Sequence, residues 1–264
     1  MDLQLTGKIA FVSGSTAGIG LATAQRLARE GARVVVNGRT HERVEAAVAR
    51  IRQGVAGAEV SGVAADLGTA AGVATAVAAV PRVDVLVNNL GIFEVKAFDA
   101  ITDADWLRFF EVNVMSGVRL ARAWLPGMRE RDWGRIVFVS SESALDIPLE
   151  MIHYGMTKTA QLAIARGLAE SLAGTGVTVN SVLPGPTASE GVTRFVGEMA
   201  RDRHTDVATM EQEFFATARP SSLLKRFITP DEVANLIAYV ASPLASATTG
   251  SALRVDGGVV RAVA

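Results

Sequence analysis

Lys8-Ile-Ala-Phe-Val-Ser13 runs directly into Gly14-Ser-Thr-Ala-Gly18-Ile-Gly20, and a stretch rich in alanine and leucine continues to Arg29. A short uninterrupted apolar run marks a strand buried on both faces of a parallel sheet. Glycines at its end let the backbone turn tightly and come close to a ligand. A helix starting there offers free N–H groups and the positive end of its dipole to a phosphate. Strand, glycine turn and helix in this order predict a dinucleotide-binding unit, here with the spacing G-x-x-x-G-x-G.

The same rhythm continues outward. Apolar runs at 33–37, 58–64, 83–87, 135–139, 176–183 and 251–255 alternate with helical stretches at 41–53, 69–79, 103–128, 152–173 and 230–241. Seven strands alternating with helices predict an α/β fold. It is a doubly wound, Rossmann-type, seven-stranded parallel sheet with helices on both faces. With no linker and no shift of composition, 1–264 reads as a single domain. Residues 188–222 break the rhythm, with Phe195, Met199, Met210, Phe214 and Phe215 among charges and small residues. Short helices inserted there, at the carboxyl edge of the sheet, would make a substrate lid. Thr229-Pro230-Asp231-Glu232 announces the last helix by a cap, a proline and two acids.

Composition narrows the function classes. The chain has 264 residues, 49% of them hydrophobic, and a net charge of −1. That balance gives no reason to expect nucleic acid or an anionic membrane as partner. No apolar run approaches the roughly 18 residues of a membrane helix, and no secretory leader opens the chain. There is no cysteine, hence no disulfide, thiolate metal site or cysteine nucleophile. The three histidines, His41, His153 and His204, are too scattered for a metal site, and no metal is expected. A cytoplasmic protein fits these features.

The chemistry is concentrated between Ser141 and Lys158. Tyr154-Gly-Met-Thr-Lys158 sets a phenol and an ammonium four apart on a predicted helix, hence on one face. A nearby cation favours phenolate, so Lys158 is expected to pull the Tyr154 pKa down and make it a general acid/base. Ser141 follows the strand 135–139 and can converge on the same point. At the end of the second strand, where an NAD site places an acidic residue, stand Gly38 and Arg39. An arginine can pair with a 2′-phosphate that a carboxylate would repel, so NADP(H) is favoured over NAD(H). Asn88-Asn89-Leu90-Gly91 closes the fourth strand, where ligands bind in such sheets. Asn113 sits inside a predicted helix, where asparagine is a poor former and, if buried, needs partners.

Together these residues resemble the short-chain dehydrogenase/reductase family over nearly the whole chain. Gly14, Gly18 and Gly20 are similar to its glycine turn, with Ser13 where threonine is more usual. Asn88-Asn89-Leu90-Gly91 is similar to its N-N-A-G, and Asp256-Gly257-Gly258 matches its ending. The serine lacks the glycine often found three residues later. The resemblance implies a catalytic set of Asn113, Ser141, Tyr154 and Lys158. It implies a cofactor cradle of Gly14, Ser15, Gly18, Ile19, Gly20, Asn37, Arg39, Asp66, Leu67, Asn89, Gly91, Tyr154, Lys158, Pro184, Gly185, Thr187 and Ser189, with Asp66 at the adenine and Pro184-Gly185 near the nicotinamide.

The activity so implied is hydride transfer between NADP(H) and a carbonyl or alcohol. Tyr154 passes the proton, Ser141 hydrogen-bonds the developing alkoxide, Lys158 holds the ribose, and Asn113 holds a water that links Lys158 to solvent. Leu145, Met151 and the lid phenylalanines favour a mainly apolar small-molecule substrate, whereas Glu142 could recognise a hydroxyl or amine. His153 is expected to be structural. A ketoacyl group on an acyl carrier protein is an alternative substrate, with Arg129, Arg131 and Arg135 as the basic patch for the carrier. A non-catalytic dinucleotide sensor is the other reading. A homo-oligomer, dimer or tetramer, is expected through Met115, Gly117, Leu120 and Ala121 on one helix and Ala160, Ala163 and Gly167 on another.

Overall fold

Successive residues of a strand face opposite ways, and in β1 (Ile9–Val12) both directions lead into protein. Ala10 and Val12 pack with Leu21 and Leu27 of α1 (Gly18–Arg29), with Val44 and Ile51 of α2 (His41–Gly54), and with Val233 and Ile237 of α9 (Pro230–Val240). Phe11 faces the other way and meets the Trp124 ring at 4.9 Å. It shares that side with Val73 of α3 (Ala70–Ala79), Leu120 of α5 (Ser116–Glu130) and Ala165 of α6 (Ile152–Glu170). Fully burying one such side chain stabilises the fold by about 1.5–3 kcal/mol. Helices therefore cover both faces.

The remaining strands are β2 (Arg33–Gly38), β3 (Val60–Ala64), β4 (Val85–Asn88), β5 (Gly134–Val139), β6 (Val177–Pro184) and β7 (Ala252–Val255). All pairings are parallel, in the order β3-β2-β1-β4-β5-β6-β7. The chain winds outward from β1 through β3, then restarts at β4 on the other side of β1. Ligands bind at the crevice such a reversal opens beyond the carboxyl ends. The computed structural model describes residues 1–203 and 205–263, without the side chains of 194–196, 198 and 199, so expectations at Phe195, Met199 and His204 lie outside the described residues.

Three local features depart from the sequence expectation. The helix expected over 103–128 is α4 (Asp103–Phe110), a π turn (Glu111–Met115) and α5. The inserted segment holds the helices expected there, α7 (Glu190–Asp202) and α8 (Val207–Thr217), but its Phe214 and Phe215 do not face a substrate. Phe214 and Phe215 pack against each other at 5.1 Å and each lies 5.2 Å from Phe227. They form a small core of their own, so they give no support to an apolar substrate. Gly117, Leu120 and Ala121 face the sheet: a Cβ on Gly117 would stand 2.9 Å from the Phe138 ring. They are closed to a partner subunit, whereas Ala163 and Gly167 are exposed on α6.

Candidate active site

The glycine turn fits a diphosphate. Gly14 and Gly18 have φ of 59° and 54°, the left-handed region that glycine adopts freely. A Cβ on Gly20 would stand 2.5 Å from Asn89 Nδ2 and from the Gly14 carbonyl oxygen, so only glycine allows this approach. Asn89 Nδ2 donates to the Ser13 and Gly14 carbonyls, each at 3.0 Å, and holds the turn against β4. No side chain caps α1 at Ala17, and no acid sits in its first turn. Its N–H groups and dipole are left facing the crevice. Ile19 is half-buried beside them. Two residues of the expected cradle turn inward instead. Ser15 Oγ donates to the Val12 carbonyl at 2.6 Å, and Asn37 Oδ1 accepts from Gly14 N at 3.1 Å while its Nδ2 donates to the Val63 and Ala65 carbonyls. Their side chains brace the turn, and Asn37 also lines the cavity beside it.

Beside the turn lies a cavity of about 350 Å³ bounded by Thr16, Gly38, Arg39, Thr40, Arg43 and Asp66, with Leu67 behind them. Arg39 is exposed at its mouth. Arg43 was not foreseen. It lies one helical turn into α2, and its N–H donates to the capping Thr40 Oγ1 at 3.4 Å. Asp66 is exposed at the end of β3 and accepts from Gly68 N at 3.0 Å.

Gly91 leads from the crevice to the reacting groups. A Cβ there would lie 3.5 Å from Lys158 Nζ and 3.6 Å from Asn113 Oδ1. Asn113 is 1% exposed, at the centre of the π turn. Its Oδ1 accepts from Ile92 N at 2.8 Å, and its Nδ2 donates to the Ile92 carbonyl and to Thr157 Oγ1, each at 3.0 Å. The amide is fully partnered, and its carbonyl also has a partner: Gln161 Nε2 donates to it at 2.6 Å. Gln161 was missed because a glutamine in a helix carries no sequence signal.

Ser141 is buried at the end of β5, and its hydroxyl is close enough to the Tyr154 phenol to lower its pKa. Its own proton goes elsewhere, to Glu142 Oε2 at 2.5 Å. Glu142 Oε1 accepts from Arg219 Nε at 3.0 Å, an ion pair of two buried side chains. Arg219 follows α8, so the inserted segment is tied to the floor of the site.

Lys158 Nζ donates to the Val139 carbonyl at 3.0 Å and to Gln161 Oε1 at 3.5 Å. It lies 5.5 Å from the centre of the Tyr154 ring. Burial lowers Lys158 to about 8. The phenol goes against the sequence expectation. Burial raises the Tyr154 pKa, and the Glu142 carboxylate raises it further, so the group is held as a neutral phenol. Desolvation and a nearby negative charge outweigh the opposing pull of the Ser141 hydroxyl and the Arg219 cation.

Gly185, Thr187 and Ser189 line the far wall after Pro184. A Cβ on Gly185 would stand 2.4 Å from the Asp256 carbonyl oxygen, which ties this turn to the end of β7. Thr187 Oγ1 donates to the Gly185 carbonyl, and Ser189 Oγ accepts from Val192 N at the start of α7. Ser189 Cβ would be 3.3 Å from a Cβ on Gly18, so this wall closes over the glycine turn. His153 lies apart, fully buried and 4.0 Å from the Phe109 ring. Arg135 is buried and donates to the Ser242, Gly134 and Gly176 carbonyls, and Arg131 donates to the Val83 carbonyl. Of the basic patch foreseen for a carrier protein, only Arg129 remains exposed and unengaged by these contacts. Among the described residues, no cluster of potential metal ligands and no helix long and apolar enough to cross a membrane occurs.

The family model described as Enoyl-(Acyl carrier protein) reductase matches residues 14–260. An uncharacterized oxidoreductase of Bacillus subtilis, YvaG, is 48% identical over 263 residues, covering 100% of both chains. The D-beta-hydroxybutyrate dehydrogenase of Cupriavidus necator is 34% identical over 97% of this chain and 99% of its own length. Among solved structures, L-sorbose reductase from Gluconobacter frateurii, complexed with NADPH and L-sorbose, superposes with a TM-score of 0.94 at 32% identity, covering 100% of both chains.

Proposed function

Because the chain belongs to the short-chain dehydrogenase/reductase family and is an oxidoreductase, we propose that it reduces a small ketone or aldehyde to an alcohol, with Tyr154 as proton donor and NADPH as hydride donor. One observation carries this reading: Lys158 Nζ lies against Gly91 and 5.5 Å from the centre of the Tyr154 ring, and the Ser141 hydroxyl acts on the same phenol. When bound, the reduced dinucleotide supplies the hydride that forms the new C–H bond. The carbonyl π pair takes the Tyr154 proton, and Ser141 donates to the oxygen as charge develops on it. Lys158, a cation below about pH 8, holds the cofactor ribose and offsets charge left on the phenol. A neutral phenol is the form that reduction requires, and the raised Tyr154 pKa keeps that proton donor in place at neutral pH.

Arg39 and Arg43 support NADP(H) over NAD(H). They present two cations at a cavity wall where no carboxylate ends β2. The segment 188–222 acts as the lid, within one domain, and Arg219 is its contact with the floor. Exposed Ala163 and Gly167 leave α6 as the helix through which a homodimer or tetramer would form. NADPH consumption over a panel of small carbonyl compounds, with NADH in parallel, tests the reading. Oxidation of NADPH on addition of a ketone or aldehyde is expected. A silent panel, with the dinucleotide bound, would point to a sensor instead.

A further inference from the structure

Within the reductase reading above, we propose that Glu142 and Arg219 form a hydroxyl-reading subsite, and that the substrate is a ketone with a hydroxyl on the carbon next to its carbonyl. The pair stands where an apolar substrate would least want it. Glu142 is 4% exposed and Arg219 9%, and the carboxylate accepts from Ser141 on one oxygen and from Arg219 on the other. Burying two charges costs several kcal/mol per ion, and well-packed apolar residues do as well or better for stability. The tie it makes between the inserted segment and the floor could be made by apolar packing, so fold stability gives little reason for the charges. A ligand that uses it supplies one.

The hydrogen bonds say which ligand. A hydroxyl both donates and accepts. Glu142 Oε2 is an acceptor and the Arg219 guanidinium a donor, side by side. An anionic substrate fits less well. Arg219 NH1 also lies 4.0 Å from Glu150, so one guanidinium is already outnumbered by two carboxylates.

The Ser141 hydroxyl sets where the ligand's hydroxyl lies. It has one proton, and it donates that proton's hydrogen bond to Glu142 Oε2 at 2.5 Å. To donate to a substrate carbonyl, Ser141 must release Glu142. Oxygens on adjacent carbons have nearly the spacing that separates Ser141 Oγ from Glu142 Oε2. A hydroxyl next to the carbonyl can take the place of Ser141 on Oε2, and Ser141 then turns its proton to the carbonyl oxygen. No proton changes owner in this exchange; one donor replaces another. The substrate's own hydroxyl so switches on the group that polarises its carbonyl. A ketone without it loses turnover as well as binding.

Hydroxyacetone and butanone, which differ by a hydroxyl in place of a methyl, test this with NADPH present. Wild type is expected to reduce hydroxyacetone with a kcat/KM about a hundred-fold or more above butanone, much of the difference in kcat. In Glu142→Gln the amide oxygen keeps Arg219, and the NH2 faces Ser141 as a donor, which frees the serine proton for either ketone. The two kcat values should then converge. Equal kcat for the two ketones in wild type overturns the proposal, even if the variant does not fold. So does a folded Glu142→Gln that keeps the discrimination, or a preference for acetoacetate over hydroxyacetone. If no carbonyl compound consumes NADPH, the reductase reading itself fails, a result distinct from the others.

Discussion

Gln161 Nε2 donates to the Asn113 carbonyl at 2.6 Å, while its Oε1 faces Lys158 Nζ at 3.5 Å. One side chain thus spans from the π turn to the buried ammonium. Lys158 has two oxygen acceptors, the Val139 carbonyl and this amide, to offset its desolvation.

Removing the amide should make the ammonium harder to keep. Lys158 lies at about 8, lowered by burial. Gln161→Leu removes an acceptor from the charged form, so the pKa should fall further. The reductase pH profile should lose activity above about pH 8 in wild type and at lower pH in the variant, with kcat at neutral pH down about ten-fold. Gln161→Glu should move the limb the other way. A merely structural role would lower activity without moving the limb.

Tyr154 sets how the two rates depend on pH. Its pKa is raised by burial and by Glu142, so the proton donor is present across the neutral range. Reduction should be fast near neutral pH, and alcohol oxidation, which needs the phenolate, should rise with pH. Tyr154→Phe should leave NADPH binding intact while cutting turnover by about 10²–10⁴-fold. Fluorescence titration with NADPH and steady-state rates in both directions check both statements. Turnover above about a tenth of wild type would remove Tyr154 from its role.

Arg39→Ala and Arg43→Ala should each weaken NADPH binding about ten- to hundred-fold, the scale of one charge-assisted hydrogen bond of about 1.5–3 kcal/mol. NADH binding should change little, because it lacks the 2′-phosphate. Dissociation constants for both dinucleotides, measured at fixed salt, decide the point. A parallel loss for NADH would mean that the arginines act on the shared part of the cofactor.

The sheet and the glycine turn were legible because their causes are local. Strand alternation, the demand for glycine at Gly14 and Gly20, and the cap at Thr229 act within a few residues of chain. Asn113 was legible only as a misfit. The π turn that resolves it depends on Ile92 and Thr157, which lie 21 and 44 positions away. Arg219 was illegible, since its partner Glu142 is 77 positions distant. The Tyr154 pKa went the wrong way because helical spacing reports a neighbouring cation but not the desolvation around it.

His153 was expected to be structural, and its surroundings give that expectation a pH dependence. Its ring is fully buried against Phe109, with Trp106 at 6.0 Å, and neither ring nitrogen has a partner among the described residues. Burial lowers its pKa from 6.5, and the facing charges divide, Glu94 and Asp105 raising it, Arg108 and Lys96 lowering it. The folded state thus holds the neutral ring while the unfolded chain protonates more readily. Stability is fully present above the unfolded value of 6.5 and is lost as pH falls from there toward the lower folded value. Thermal unfolding should therefore show a lower Tm at about pH 5.5 than at about pH 7.5, and His153→Phe, which keeps an aromatic ring beside Phe109, should flatten that difference. The slope with pH is the readout, since the substitution also changes packing. An unchanged slope would place the acid sensitivity elsewhere, in paired carboxylates such as Asp105 and Glu232, whose pKa values their partners hold low.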